Sequence, residues 1–185
     1  RNWSEKEASP NQAQLADLLA QPEAQQIHIN NIVALIIGQG YAGVDLDYRG
    51  VTVDWRDSYS NLVDELAQAL HAQGKVLLVS VEMPTLKADG AWETEGYDWH
   101  ALGQMADVLR IPYGDTTQTS SLQQYHAWAL SQVNRYKLFP TLHARSSNRV
   151  GDHIDLLTLE QALAPLSQMS GPESDVIPPG EIVQF

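Results

Sequence analysis

The stretch Gly40-Tyr41-Ala42-Gly43-Val44-Asp45-Leu46-Asp47-Tyr48-Arg49-Gly50 decides how this chain is interpreted. It places charged residues at every second position of an apolar run, which is the spacing of a β-strand. The pattern predicts a strand over residues 43–48, with Asp45, Asp47 and Arg49 on one face. Because burying carboxylates in an apolar strand is costly, we expect a functional site at the carboxyl end of this strand.

Helices and strands are predicted to alternate along the whole chain. Apolar residues three or four apart indicate helices, and the apolar run around residues 75–83 is typical of a strand covered on both faces. Regular alternation predicts an α/β fold with a parallel sheet, either a (β/α) barrel or a doubly wound open sheet. A complete eight-stranded barrel does not fit, because only four such strands are found. The predicted helices are 12–20, 26–38, 57–73, 97–105, 121–136 and 158–168, and the predicted strands are 43–48, 75–83, 107–113 and 139–144.

Composition narrows the classes of partner and cofactor. The 185 residues include 11 Lys and Arg against 23 Asp and Glu, a net charge of −12. This charge argues against nucleic acid or an anionic membrane as the main partner, whereas a neutral sugar is compatible with it. The chain has no cysteine, no apolar run of about 18 residues that would span a membrane, and no zinc-type histidine pair. The G-x-G-x-x-G spelling at residues 38–43 precedes a strand instead of following one, so we expect no cofactor and no metal.

Candidate site residues lie at the end of each predicted strand. In parallel α/β folds the functional side chains gather at the carboxyl ends of the strands. Glu82 could meet Asp47 across adjacent strand ends, and two close carboxylates push their pKa values apart; the alternative is a salt bridge from Glu82 to Arg49 or Lys87. For Asp45 and Asp47 the alternative is that they cap a neighbouring helix or pair with Arg49 and Arg56. For the remaining residues the alternatives are loop caps and charge balance. The further candidates, at the ends of the third and fourth strands, are Tyr113, Asp115, His143 and Arg145.

Five aromatic residues lie in or near predicted loops. Sugars present C–H faces that stack on aromatic rings, so exposed loop tryptophans fit carbohydrate binding. For any single one of them, packing beneath a loop is the stronger alternative. These residues are Trp3, Trp55, Trp92, Tyr97 and Trp99.

Residues 40–49 resemble the fourth-strand signature of family-18 glycoside hydrolases, D-G-x-D-x-D-x-E, the family of chitinases and related N-acetylglucosaminidases. The context agrees, because a helix precedes the stretch and a helix ending in His71-Ala72-Gln73-Gly74-Lys75 leads into Val76-Leu77-Leu78-Val79-Ser80-Val81. The stretch from Ala106 to Asp115 is similar to the one that runs into the family's sixth-strand M-x-Y-D. The resemblance covers about residues 26–145.

The resemblance implies a TIM-barrel-type fold of which this chain holds about strands four to seven. We expect a partial barrel over residues 1–169, followed by a linker and the start of an insertion or a further domain over residues 170–185. The chain begins with Arg1 and closes on an apolar segment. We therefore expect it to be a piece of a longer protein whose remaining barrel strands lie elsewhere.

The resemblance also assigns roles. In that family the substrate's own N-acetyl group is the nucleophile, the middle acids orient and charge-balance it, and the terminal Glu donates the proton. Asp45 and Asp47 correspond to the middle acids, and Tyr113 with Asp115 to the pair that holds the acetamido group. The first Asp of the signature is Ala42 here and the terminal Glu is Arg49. An arginine is a useless proton donor near neutral pH, so chitinase activity is expected to be lost.

Three functions follow from these residues. The first is binding of an N-acetylglucosamine-type glycan by a family-18-like domain of a carbohydrate-active protein, extracellular or in the cell envelope. The second is an active glycosidase that uses Glu82 and Asp47, and the third is a non-catalytic structural module. The predicted catalytic residues are Asp45, Asp47 and Glu82, and the predicted substrate contacts are Arg49, Tyr113, Asp115, His143 and Arg145. Exposed sheet edges of a partial barrel also predict self-association.

Overall fold

The computed structural model describes residues 2–4, 8–112, 119–141, 147–150, 153–156 and 158–161. The chain divides into two compact units, Arg1–Pro112 with Ala129–Thr141, and Tyr113–Trp128 with Leu142–Phe185. The helices are α1 (Gln12–Leu19), α2 (Pro22–Gln39), α3 (Arg56–His71), α4 (Trp99–Met105) and α5 (Thr119–Gln132). The strands are β1 (Trp3–Ser4), β2 (Ser9–Pro10), β3 (Gly43–Leu46), β4 (Val76–Ser80), β5 (Thr85–Leu86), β6 (Trp92–Glu93), β7 (Val108–Pro112), β8 (Leu138–Thr141), β9 (Ser147–Val150) and β10 (His153–Leu156).

The first unit is built on a four-stranded parallel sheet in the order β3-β4-β7-β8. Leu46 lies beside Val79, Val79 beside Leu109, and Leu109 beside Leu138. Residues in register on parallel strands point to the same face, so this row forms one apolar layer. The parallel sheet predicted from the alternation of helices and strands is confirmed.

Helix α3 covers the apolar layer of the sheet. Leu62, Leu66 and Leu70 recur every four residues and are at most 1% exposed. Residues four apart lie on one face of a helix, and this face packs on β4, where Leu77 and Val79 are fully buried. Ala67 is buried together with these leucines, whereas Ala69 is partly exposed.

The opposite face of the sheet is only partly covered. Val76 and Leu78 on β4 remain partly exposed, as do Asp45 on β3 and Arg110 on β7. The prediction that β4 is buried on both faces is therefore wrong for Val76 and Leu78. The apolar run of β4 reflects burial of Leu77 and Val79 beneath α3 and a more open second face, which carries the polar residues.

Several predicted boundaries differ, and local hydrogen bonding explains the differences. The predicted strand 43–48 ends at Leu46, because pairing with β4 runs only from Gly43 to Leu46. Helix α2 begins at Pro22, since proline has the φ value that the first helical turn needs, and it ends at Gln39, where the cap residue Gly40 lies in the left-handed region. Helix α4 begins at Trp99, where Asp98 Oδ1 accepts from the Ala101 N–H at 2.9 Å and caps the helix.

The later elements are partly described. Helix α5 ends at Gln132 instead of residue 136, and a 3-10 turn over Arg135–Lys137 follows it, with Asn134 Oδ1 accepting from the Tyr136 N–H at 3.0 Å. Thr158 and Gln161 form a reciprocal capping box at the start of the predicted helix 158–168. Residues 162–185 lie outside the described part, so the proposed domain division at residues 169 and 170 stays a prediction. None of the described helices combines the length and the apolar character needed to cross a bilayer.

A hydrogen bond between His28 and Tyr48 ties α2 to the segment after β3. Burial raises the pKa of Tyr48 to about 12 and lowers the pKa of His28 below its ordinary value of 6.5. Tyr48 therefore stays a neutral hydroxyl over the physiological range, and His28 is held in its neutral form to lower pH than a free imidazole.

The stability of the protein is expected to fall on acidification through His28. Unfolded His28 takes up its proton near pH 6.5 and folded His28 at a lower pH, so the unfolded state binds more protons between the two values. The contribution of His28 to the free energy of unfolding is complete above about pH 6.5 and is lost as the pH falls through the lowered pKa. Urea unfolding from pH 5 to pH 8 measures this. The variant His28→Gln should flatten the curve, whereas His100→Gln, at an exposed position on α4, should not; an unchanged slope in His28→Gln would contradict the assignment.

Candidate functional site

Asp45 is held at the carboxyl half of β3 by the neighbouring strands. Its Oδ1 accepts from the Ser80 hydroxyl on β4 at 3.0 Å, and its Oδ2 is ion-paired with the guanidinium of Arg110 on β7. The side chains of Asp45 and Arg110 are 30% and 34% exposed. Three adjacent strands thus contribute one polar group each to the open face of the sheet, and the negative charge of Asp45 is compensated there.

Asp47 lies just beyond β3 and is ion-paired with Arg49. The Arg49 Nη1 also donates to the backbone carbonyl of Val81, at the end of β4, at 3.4 Å. Asn2 fixes the backbone of residue 49 from both sides: its Oδ1 accepts from the Arg49 N–H at 2.7 Å, and its Nδ2 donates to the Arg49 carbonyl at 2.8 Å. The Arg49 side chain is therefore folded onto the acid that precedes it.

Glu82 also reaches this end of the sheet. Its Oε1 accepts from the backbone N–H of Gly50 at 3.2 Å, which joins the segment after β4 to the segment after β3. Lys87, one of the two expected salt-bridge partners of Glu82, is ion-paired with Glu93 instead. Burial raises the pKa of Tyr97 well above its ordinary value, and the negative charge of Glu82 adds to that rise, so the Tyr97 hydroxyl stays protonated and donates to the Tyr48 carbonyl at 2.8 Å.

The structure brings together only part of the predicted set. Asp47 pairs with Arg49, Glu82 accepts from the Gly50 N–H, and Asp45 accepts from Ser80, all at or just beyond the carboxyl ends of β3 and β4. Whether these residues form a site stays a prediction. The other four predicted residues lie outside the described residues, and their place in a site stays a prediction. These four are Tyr113, Asp115, His143 and Arg145.

Sequence reasoning missed three contributors, namely Arg110, Ser80 and Asn2. A signal for Arg110 was present, since it is the only charged residue within the apolar strand Val108–Pro112. The register that places Ser80 beside Arg110 is not readable from the sequence. Asn2 acts through a contact of 47 positions in sequence separation, which no local pattern announces. Among the described residues, no group of three His, Asp or Glu is placed to hold a metal ion.

The loop aromatics divide into two groups. Trp99 and Tyr97 are 2% and 1% exposed and belong to the core, where Tyr97 meets Tyr59 edge-on at 5.7 Å between ring centroids. The stacking interpretation is therefore wrong for these two. Trp3 is 42% exposed, and Trp55 and Trp92 are partly exposed, so these three remain accessible to a ligand.

Comparison with known proteins identifies the family. The family model described as glycosyl hydrolases family 18 matches residues 6–157. The chain belongs to this family. A Bacillus subtilis (strain 168) protein provisionally named a sporulation-specific glycosylase is 31% identical over 94 residues, which are 51% of this chain and 22% of that protein.

Solved structures agree on the fold. A crystal structure of the Bacillus subtilis glycosylase of that name gives a TM-score of 0.72 at 19% identity and covers 90% of this chain and 60% of that chain. A class V chitinase from Pseudomonas fluorescens Pf-5 gives 0.70 at 23% identity, covering 78% and 48%. This chain thus spans less than two thirds of each of these proteins. The predicted fold, part of a TIM-barrel-type α/β domain, is confirmed.

The family assignment explains what the charged cluster, formed by the pairs Asp45–Arg110 and Asp47–Arg49, can do chemically. The signature that the sequence resembles ends in a glutamate where this chain has Arg49, and Arg49 is ion-paired with Asp47. A guanidinium remains protonated below about pH 12, so it can compensate a carboxylate or bind an anion but cannot release a proton to a leaving group. Asp45 is compensated in the same way by Arg110.

Proposed function

We propose that this chain is a glycan-binding domain of glycosyl hydrolase family 18 that does not hydrolyse its ligand by the family mechanism. The observation that carries the proposal is the ion pair between Arg49 and Asp47, at the position where the family signature has its proton-donating glutamate. Loss of a general acid costs a factor of about 100 to 10,000 in rate. The domain keeps the family's fold and two of its acids without the group that would complete bond cleavage.

The open face of the sheet supports a polyhydroxylated ligand. Asp45, Asp47 and Arg110 present partly exposed carboxylate and guanidinium groups, and the buried Ser80 hydroxyl holds Asp45 in place. Such mixed donors and acceptors match sugar hydroxyls and an acetamido group. The proposed glycan is of the N-acetylglucosamine type, because one structural neighbour is named a chitinase. The name of the Bacillus subtilis relative supports a place in the cell envelope.

Several residues outside the described part belong to the proposal as further glycan contacts. Tyr113 and Asp115 would hold the acetamido group, and His143 and Arg145 would border the cleft from the next strand. All four lie at the predicted carboxyl ends of parallel strands, where family-18 and other barrel-type sites are built. Arg49 would itself contact the sugar with those guanidinium nitrogens that do not face Asp47.

A second candidate is a purely structural module, and one observation favours it. The Arg49 side chain is ion-paired with Asp47 and donates to the Val81 carbonyl, so a sugar must displace these contacts to reach Asp47. If it cannot displace them, the Arg49 side chain blocks the sugar site. The third candidate, hydrolysis by Glu82 with Asp47, requires turnover that depends on Glu82.

Calorimetric titration with N-acetylglucosamine oligomers, combined with an assay on a chromogenic chitobioside, separates the three. We expect binding without turnover, and weaker binding in Asp47→Asn than in Asp17→Asn, a matched change at an exposed site on α1. Turnover that disappears in Glu82→Gln would establish the active glycosidase instead. Absence of binding to every oligomer would leave the structural module.

A further inference from the structure

A second concave site lies on the helical side of the first unit, away from the acids. It is a groove of about 460 Å³ between the corner that joins α1 to α2 and the first half of α3. We call it the corner groove. Helix α3 packs on the apolar layer of the sheet, whereas Asp45 and Arg110 lie on the other face. The groove shares no residue with the charged cluster. Its lining includes Pro22, Gln25, Trp55, Ser58, Asn61 and Glu65.

The groove contains a buried amide with an unused acceptor. Gln25 is 8% exposed and is one of two buried polar residues among those that the structure describes. Its Nε2 donates to the Leu19 carbonyl at 2.9 Å and thereby closes the end of α1. Within the described part of the chain its amide oxygen accepts no hydrogen bond. Because Gln25 lines the groove and its amide oxygen is not one of the fully buried atoms that lack a partner, this oxygen is open to a donor from a ligand.

One wall of the groove is aromatic and the other is polar. Trp55 lies at the junction of a 3-10 turn and α3, and its backbone N–H donates to the Thr52 carbonyl at 3.0 Å, which fixes its position. Ser58, Asn61 and Glu65 follow at spacings of three and four along α3, so they share one helix face. They supply a hydroxyl, an amide and a carboxylate beside the Trp55 ring.

We propose that the corner groove binds one pyranose ring of a polysaccharide. The ring's C–H face would stack on Trp55, and its hydroxyls would donate to the Gln25 amide oxygen and the Glu65 carboxylate and exchange hydrogen bonds with Ser58 and Asn61. The volume lies within the usual range of about 300–1,000 Å³ for small-molecule sites. An apolar ligand would leave Gln25 unpaired, and an anionic ligand would be repelled by Glu65, the charged residue of the groove.

The corner groove would give the domain a second contact with a polymer, in addition to the site at Asp47 and Arg49. The choice of a sugar as its ligand rests on the proposed glycan-binding function. The residues of the groove are separate from Asp47 and Arg49, so the two sites can be tested independently. The probe is N-acetylglucosamine and its short oligomers, titrated calorimetrically and by the NMR signals of the tryptophan indole N–H groups, on the natural protein.

Trp55→Ala is expected to weaken oligomer binding about tenfold, the loss that one aromatic stacking contact produces, and Trp55→Phe is expected to retain most of it. The control is Tyr136→Ala, an aromatic residue that is 72% exposed in the 3-10 turn after α5, which should bind as the wild type does. Asn61→Ala should weaken binding without touching the aromatic wall. Thermal unfolding of each variant verifies the fold.

The outcomes separate the two sites. Weakening by Trp55→Ala, with a shift of the Trp55 indole signal on titration, supports the corner groove even if Asp47→Asn has no effect. Weakening by Asp47→Asn alone, with Trp55→Ala binding as the wild type does, overturns the corner groove and leaves the proposed function intact. Absence of binding by the wild-type protein overturns both.

Discussion

Replacing Arg49 with glutamate is expected to raise hydrolysis of a chromogenic chitobioside by a factor of about 100 to 10,000 over the wild-type protein. The change restores the last residue of the family signature on a fold that is otherwise that of the family. It also removes the cation that compensates Asp47. A new carboxyl beside Asp47 would have a raised pKa, because two like charges disfavour each other, and a raised pKa is what a proton donor near neutral pH requires.

The backbone at residue 49 should accept this change without moving. The Asn2 side chain holds both the N–H and the carbonyl of residue 49, at 2.7 and 2.8 Å. Neither bond involves the side chain that is replaced. The lost contacts, to Asp47 and to the Val81 carbonyl, are made by a side chain that is 31% exposed, and partly exposed ion pairs contribute little to stability.

The matched control is Arg49→Gln, which removes the same cation but cannot donate a proton. We expect it to remain inactive when both variants are made in the complete natural protein and assayed side by side. If Arg49→Glu is as inactive as Arg49→Gln, the missing acid is not what prevents hydrolysis. The loss would then have to be sought elsewhere, beginning with Ala42, the other departure from the signature.

The fold could be predicted from the sequence because its periodicities are strong. Helix α3 carries leucines at every fourth position, and β4 is a continuous apolar run. Their alternation with the other elements was enough to give a parallel sheet. The ends of the elements were less predictable. The end of β3 depends on how far β4 runs beside it, and the start of α4 depends on one capping carboxylate.

The site could be predicted only as far as one strand reaches. Strand alternation predicted Asp45, Asp47 and Arg49 on one face, and this much is local. The structure pairs Asp47 with Arg49, although both lie beyond the end of β3. The partner of Asp45 was not predictable, because Arg110 becomes its neighbour only through the order and register of three strands. The corner groove was not predictable from the sequence either. Trp55 was one of five candidate aromatic residues, but the role of Gln25 depends on its burial where α1 meets α2, which no local pattern indicates.

The charges of the cluster follow a pattern that the sequence alone does not reveal. Each of the two aspartates is compensated by its own arginine, Asp45 by Arg110 and Asp47 by Arg49. A chain with a net charge of −12 thus places a cation beside each of these two aspartates. Two compensated pairs cost less to bring near a neutral sugar than two bare carboxylates. This arrangement suits binding better than acid catalysis, which needs a group that can lose its proton.

Gly43→Ala is expected to be the most destabilising single-methyl change in the described part of the chain. A Cβ at residue 43 would overlap the carbonyl oxygen of Val76 and lie 2.8 Å from its carbonyl carbon. Gly43 is the register partner of Val76, so relief requires the backbone of β3 to move away from β4. Overpacking of this kind costs about 1–3 kcal/mol, and we expect the upper end because backbone is less able to yield than a side chain.

Gly38→Ala makes the same chemical change inside α2 and should have the opposite sign. A Cβ there meets nothing within 4 Å, and alanine in a helix interior is favoured over glycine by about 0.5–1 kcal/mol. Urea unfolding of both variants would measure the difference. A loss of stability in Gly43→Ala and a gain in Gly38→Ala would place β3 tightly against β4 at its first residue. That contact positions Asp45 beside Ser80 and Arg110, so displacement of β3 should also weaken glycan binding. A Gly43→Ala variant as stable as the wild type would contradict the close packing of β3 against β4 on which the site depends.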